Sequence, residues 1–480
     1  MPLSHTCTDG ATSKRDHLDE ILSELARNLR RLSQCAAAEQ DFERYEQEAH
    51  QLFTTAERAA LAQELGRLDV DQAEVIIEGR RYRRVLRASE TYTSAVGAVT
   101  VERTLYRVGS GPAVVPLELR AGIIGGHWTP LAAHQASYLV GHLTPRETAA
   151  VLDELGNMKP SASSLDRLPK LLSSRWEEQR EAFEEALRAS SEVVPEQATT
   201  LAASLDGVMA PMRDGARQAK RAAAQAAGRA TKGPAGYREA GCGTVSFYDA
   251  AGERLSTLRF GRMPEAGKAT LKGMLGAEVE AALEQRPDLR VVKLADAARD
   301  NWSFLGQLAP QAASSEELVD FFHAAEQLKA ATDAAYGERN AHGRAQYEKH
   351  RHVMRHEHGG VERVIRALRY LRGKHPRRKR IKEVLGYFCR NRKRMDYAGA
   401  AQRGLPIGSG VVEAACKTLV TERMKRSGMR WREDGGQAIL TLRGWAQSGR
   451  FATAWSLLSA TYRREVTVSD DMDSSHGRAA

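Results

Sequence analysis

Cysteine is scarce in this chain of 480 residues, and its placement excludes two kinds of site. The five cysteines, Cys7, Cys35, Cys242, Cys389 and Cys416, never fall within four residues of one another. No CxxC zinc pair and no disulfide framework is therefore written into the spacing, and a reducing cytoplasm is the expected setting. Aromatic residues make up only 6%, which argues against rows of stacking platforms as the main device for holding single strands. No apolar run approaches the roughly 18 residues of a membrane span. The opening stretch MPLSHTCTDGATSKRDHLDE lacks the apolar segment of a signal peptide. GxxxxGK[ST] is also missing, so ATP use is not expected.

What is present begins with charge. The net charge is +10, and the 344–394 block alone carries 18 Lys/Arg against 4 Asp/Glu, a local excess of +14. A run of this kind is often a solvated tail. Here it keeps helical periodicity: Val361, Val364, Ile365, Leu368 and Leu371 share one face, and Arg363, Arg366, Arg369 and Arg372 another. A folded basic surface is what a phosphate backbone attracts, so this block is read as a nucleic-acid contact.

The apolar fraction of 42% suffices for real cores, and the length suits about three domains. Residues 1–70 read as a helical region, continuous from 15 to 66. Residues 71–195 read as a small β-sheet followed by a helix-turn-helix-like region. In that sheet EVIIEGRRYRRVL and VGAVTVERTLYRV alternate in period two. Beyond it, Thr144 and Glu147 have capping-box spacing, Pro145 stands at the first helical position and Gly156 at a stop. Two short helices about such a turn suit DNA binding, or make an ordinary helical hairpin. Residues 198–465 alternate strand and helix: TTLAASLDGVMAPM, a loop over 213–237, a hairpin across Ala251-Gly252, a helix over 268–285, then LRVVKLAD ending at Asp296. Helices follow, the last two over 435–447 and 451–463. The tail 466–480 is expected to be disordered.

Three strands, a helix, a strand and further helices is the order of an α/β RNase H-like domain. There the first and fourth strands are neighbours, so Asp206 and Asp296 would lie side by side. Glu413, just behind GSG at a helix start that suits a carboxylate, would come over the same edge. Such crowding raises carboxyl pKa values unless a cation relieves it. Mg²⁺ takes oxygen ligands, and two such ions serve in-line phosphoryl displacement. By spacing alone Asp214, Asp249, Asp300 and Asp320 lie in the same region, with Asp300 the rival to Asp296.

SLDGVMAPM, LADAARDNWSFL, DFFHAAEQL and GSGVVEAACKTLVTERMKRSGMRW, in this order over roughly 200–460, resemble the consecutive motifs of bacterial insertion-sequence transposases of the Kra-type family, relatives of the Mutator-like DDE transposases. The resemblance implies an RNase H-like catalytic domain with an all-helical insertion at about 325–400, preceded by a mainly helical amino-terminal region with a small β-sheet. It makes Asp206, Asp296 and Glu413 the catalytic, metal-binding triad for two Mg²⁺, with Mn²⁺ able to substitute. Asp320 and His323 match the (C/D)-x-x-H element of the Mutator-like relatives and would be accessory. Ala297 departs from the glycine usual after the second aspartate.

The expected DNA contacts are Lys374, Arg377, Arg378, Lys379 and Arg380, with Lys417, Thr421, Arg423 and Lys425 holding phosphates near the metals. His350, His352, His356 and His358 are read as phosphate-facing, because no glutamate stands between the 352/356 pair as zinc-protease chemistry requires. Trp302 and Trp431 read mainly as packing aromatics. The implied function is a DNA transposase that cleaves and joins strands at terminal inverted repeats. It would act on double-stranded DNA as a homodimer or larger assembly, in a bacterial cytoplasm at the nucleoid. A structure-specific nuclease and a catalytically silent DNA-binding regulator are the alternatives.

Overall fold

The computed structural model describes residues 12–39, 41–190, 194–230 and 236–468. Helices and two open sheets make a mixed α/β protein. It divides into two compact units, one built from residues up to 171 and from 455 onward, the other from 172–454.

The amino-terminal helical stretch is two helices rather than one, α1 (Thr12–Glu39) and α2 (Phe42–Arg67). Asp41 breaks it: its backbone is extended, and its carboxylate accepts a hydrogen bond from the Arg44 amide at 3.1 Å, capping α2. An antiparallel ribbon follows, β1 (Glu74–Ile77), β2 (Arg80–Ser94) and β3 (Gly97–Arg107). Val99 and Val101 point inward and Ala98, Thr100 and Glu102 outward, as period two demands. Tyr92, Val99 and Val101 pack with Leu117 of α3 (Pro116–Ala121). Then come α4 (Pro130–His142), α5 (Pro145–Leu155) and α6 (Ala162–Glu178). The capping box forms: Thr144 Oγ1 accepts from the Glu147 amide at 3.2 Å, and the Thr144 amide donates to Glu147 Oε2 at 2.7 Å.

The second unit continues with α7 (Arg180–Ala189), β4 (Thr200–Pro211), α8 (Ala216–Ala226), β5 (Tyr237–Tyr248), β6 (Arg254–Arg262), α9 (Ala269–Gln285), β7 (Arg290–Ala295), α10 (Arg299–Leu305) and β8 (Ser315–Val319). Its sheet runs β6-β5-β4-β7-β8. The β6-β5-β4 half is antiparallel, and β4, β7 and β8 are parallel. Thr200–Leu205 are buried one after another, as expected of a central strand covered on both faces. The expected loop over 213–237 instead contains α8: its alanines favour helix although the helix buries none of its residues.

Past β8 come α11 (Phe321–Tyr336), α12 (Ala341–His356), α13 (Gly360–Lys374) and α14 (Lys379–Asn391). Val361, Val364, Ile365, Leu368 and Leu371 are buried, and Arg363, Arg366, Arg369 and Arg372 are exposed, the division the periodicity predicts. This core is continuous with the sheet's through Phe321, Val319 and Ala295. The chain closes with α15 (Tyr397–Gln402), α16 (Gly410–Ala415), a π-turn at Cys416–Thr421, α17 (Glu422–Met424), α18 (Glu433–Gln447), α19 (Phe451–Ala460) and β9 (Val466–Val468).

The tail expected to be disordered from 466 is ordered at its start. β9 pairs antiparallel with β1, and Val466 packs beside Val75, Ile77 and Tyr106, so two β-branched residues flanking a threonine suffice to extend the small sheet. Residues 469–480 lie outside the described residues. Among those described, no helix is long and apolar enough to cross a membrane.

Candidate metal centre

The β4–β7 pairing ends at Ser204 opposite Leu294. Asp206 lies two residues farther along β4 and Asp296 directly follows the end of β7, at the carboxyl ends of the parallel strands, where open α/β sheets hold their ligands. β4 runs on beside β5, whereas β7 stops at Ala295 and Asn301 Nδ2 donates to the Leu205 carbonyl at 3.3 Å. Burial pushes the Asp206 carboxyl above its usual range, and the Asp296 charge adds to the rise. Opposing it are the Gly207 amide, donating to Asp206 Oδ1 at 2.7 Å, and the charges of His323 and Lys268. The Cys416 thiol is 3.7 Å from Asp206 Oδ2. Hydrogen bonding with Cys242 and burial push that thiol far up, so it stays protonated and donates.

Asp296 is fixed by its own turn. Oδ1 accepts from the Ala298 amide and from Asn301 Nδ2, both at 3.0 Å. Trp302 Nε1 donates to the Asp296 carbonyl at 2.6 Å, and the Arg394 guanidinium covers the indole at 4.3 Å. Trp302 is thus a packing residue that holds the acid's backbone. Asp300 sits on the surface, paired with Lys272 at 3.1 Å.

Among the described residues Asp320, His323 and Glu413 form a cluster whose ligand atoms all lie within 4.8 Å of one another. Asp320 caps α11 and is fully buried. Its Oδ1 accepts from the His323 amide at 2.5 Å, and its Oδ2 accepts from the Ser409 amide. Burial alone would raise this carboxyl; the hydrogen bonds from His323 and Ser409 outweigh it, and the net shift is downward. His323 Nδ1 lies 3.2 Å from Asp320 Oδ1 and 3.7 Å from Glu413 Oε1. The bond to Asp320 pushes the imidazole up to about 9, against burial and with help from both carboxylate charges. Ser409 Oγ donates to Glu413 Oε1 at 2.9 Å. The GSG turn can lie this close because Gly408 has no side chain: a Cβ there would press on the Phe322 ring at 2.6 Å.

The sequence triad is therefore assembled only in part. Asp206 and Asp296 interact electrostatically, and His323 interacts with both Asp206 and Glu413. Asp206, Asp296 and Glu413 do not themselves close into a group as tight as the one around His323. Crowded like charges oppose convergence, and the His323 imidazole, pushed up by Asp320, stands beside Glu413. Oxygen donors from Asp206, Asp296 and Glu413 suit Mg²⁺. Asp320 does not suit direct ligation, because both of its oxygens are committed to backbone amides and it is fully buried.

Two neighbours carry no sequence signal. Glu239, opposite Met209 on β5, lays its carboxylate over Gly207, where any Cβ would collide with it. Lys268 holds Glu239 at 3.1 Å from a left-handed backbone with φ of 53°, a conformation that non-glycine residues avoid and that tends to mark functional sites. Only the folded sheet brings them beside Asp206.

Of the expected DNA contacts, Lys374, Arg377, Arg378, Lys379 and Arg380 are exposed, Arg380 bonding to Gln327 at 2.9 Å. Lys417 and Lys425 are exposed as well. Arg423 is not: it lies just past the π-turn, 2% exposed, with its guanidinium 5.4 Å from the Trp431 ring. The His352 and His356 rings meet at a tilt of 39° with centroids 4.7 Å apart, and His358 bonds to Gln402 at 3.1 Å. No protein-family model matches the chain, and no curated protein matches it.

Proposed function

We propose that the chain is a DNA transposase of the insertion-sequence type, acting through an RNase H-like domain with a helical insertion. The observation that carries this reading is the proximity of Asp206 on β4 to Asp296 just past the end of the parallel strand β7, close enough to interact electrostatically, with His323 and Glu413 converging from two helices. The sheet order β6-β5-β4-β7-β8, with its first three strands antiparallel, supports the RNase H-like assignment. The exposed cations of α13 and α14 supply the electrostatic footprint that a DNA substrate needs.

Asp206, Asp296 and Glu413 would hold divalent cations. Bound Mg²⁺ supplies charge neutralisation at the scissile phosphate and acidifies a bound water. The chain's own residues do the rest. Asp320 fixes the His323 ring, and Ser409 fixes Glu413. The His323 ring, so held, would present its other nitrogen toward the phosphoryl oxygens as a hydrogen-bond partner. In the first displacement water oxygen bonds to phosphorus and a 3′-hydroxyl leaves. In the second that hydroxyl attacks a target phosphate, and a target strand's 3′-oxygen leaves in turn.

The test is incubation of the full chain with end-labelled DNA bearing flanking inverted repeats, a target plasmid and Mg²⁺. Nicks at the repeat ends and joined products are expected, and Asp206→Asn should reduce both to background. Cleavage without joining identifies a nuclease. An Asp206→Asn protein as active as the parent removes the assignment.

A further inference from the structure

Between α11, α12 and α13 lies a cleft of about 350 Å³. Its rim carries Lys349, Lys374, His342 and Gln346, its walls include the rings of Tyr336 and Tyr370, and its floor is leucine. No carboxylate lines it. Tyr370 is 66% exposed, in a helix whose neighbouring outward residues are Arg366, Arg369 and Lys374. An exposed aromatic ring among cations offers a stacking face beside positive charge. That combination suits a ligand that is flat and anionic at once. The volume falls in the range of small-molecule sites, roughly 300 to 1,000 Å³. Lysines at the rim satisfy phosphate oxygens, the glutamine amide can both donate and accept, and the tyrosine faces take an aromatic ring.

We infer that this cleft binds a nucleoside phosphate, namely one unpaired nucleotide of the DNA strand that the chain acts on. The inference rests on the proposed function for the identity of the strand. Position supports it. Leu328, Thr332 and Tyr336 line the cleft from the same helix that carries His323 in its first turn. At a rise of about 1.5 Å per residue they lie about 8 to 20 Å along α11 from His323. A strand leaving the metal centre reaches the cleft within a few nucleotides. The base would sit against Tyr370, with its phosphate between Lys349 and Lys374.

The experiment titrates the full chain, without metal, into a short single-stranded oligonucleotide carrying one 2-aminopurine, and reads quenching of its fluorescence. Parent and Tyr370→Phe should quench alike, and Tyr370→Ala should bind about tenfold more weakly, the scale of one lost base stack. The Lys349→Gln/Lys374→Gln pair should weaken binding and flatten its salt dependence. These side chains are exposed, so circular dichroism should match the parent. Equal binding by Tyr370→Ala, or an abasic oligonucleotide bound as tightly as the base-bearing one, overturns the inference. A second arm uses dAMP: binding that needs Tyr370 but not a strand would make the ligand a free nucleotide and overturn the strand assignment. Because no arm requires catalysis, a chain that cuts DNA yet fails here loses only the cleft. One that binds here but never cuts loses the proposed reaction and keeps the cleft.

Discussion

The carboxyl end of the central sheet and the helical block behind it each concentrate one sign of charge, and they treat it in opposite ways. At the sheet end, acids are pulled inward and held by short contacts: Asp320 is fully buried on two backbone amides, and Asp206 is half-buried under a thiol and an amide. On α13 the cations are kept out, with Arg366, Arg369 and Arg372 all exposed. Burying like charges costs several kcal/mol per ion unless a partner offsets it, whereas exposed charges cost almost nothing. The sheet end therefore has to be organised for something specific, while the helical face needs only to be positive.

The harshest way to break this contrast is Asp320→Ala. It would leave the Ser409 amide without its acceptor and free the His323 ring, undoing a pair whose carboxylate is fully buried and whose imidazole is partly exposed. Denaturant unfolding should show a loss of about 2 kcal/mol, the scale of a buried amide left unsatisfied. If the loss is below 1 kcal/mol, the buried network is not the anchor it looks like.

Glu184 on α7 sharpens the comparison, being a buried acid with less support. Its Oε2 bonds to Arg180 at 3.1 Å, but its Oε1 is buried with no hydrogen-bond partner. Burial pushes this carboxyl from 4.5 to about 7, with Arg180 and Arg188 opposing the rise. The folded form thus holds a proton that the unfolded form gives up. Its effect on stability is neutral below about pH 4.5 and becomes a growing loss as pH rises through 7. Glu184→Gln should remove that loss, raising stability at pH 8 by up to about 3 kcal/mol and changing little at pH 4. Paired melts at the two pH values check it, and equal shifts at both would refute the assignment.

What the sequence disclosed of these regions is what local chemistry encodes. The Thr144–Glu147 box, the apolar stripe of α13 and the buried run before Asp206 each depend on neighbours within a few residues, and each is present. What stayed hidden depends on distant partners or competing local preferences. The break at Asp41 has no glycine or proline to announce it, only a cap that forms once the backbone has turned. Charge made the 213–237 segment resemble a loop, although alanine propensity wins over 216–226. β9 needs β1, and Arg423 lies buried just past a π-turn that no pattern foretells. The same holds at the site. Asp206 and Asp296 could be matched by strand order, but Glu239 and Lys268 join them only through the β5 register and a left-handed turn.

The exposed side of the comparison has the smallest effect on folding and a separate signature. Arg366 and Arg369 make no ion pair among the described residues, so replacing both by glutamine should change stability by less than about 0.5 kcal/mol. If they are merely solvated, DNA affinity should keep its salt dependence. If each meets a phosphate, the slope of log affinity against log salt should fall by about 0.9 per contact, or nearly 2 for the pair. Affinity would weaken for every sequence alike, since phosphate contacts position DNA without reading it. A stable double variant with an unchanged slope would show that the positive face of α13 is ordinary surface. Under the proposed function, DNA would then have to approach the sheet end from another side.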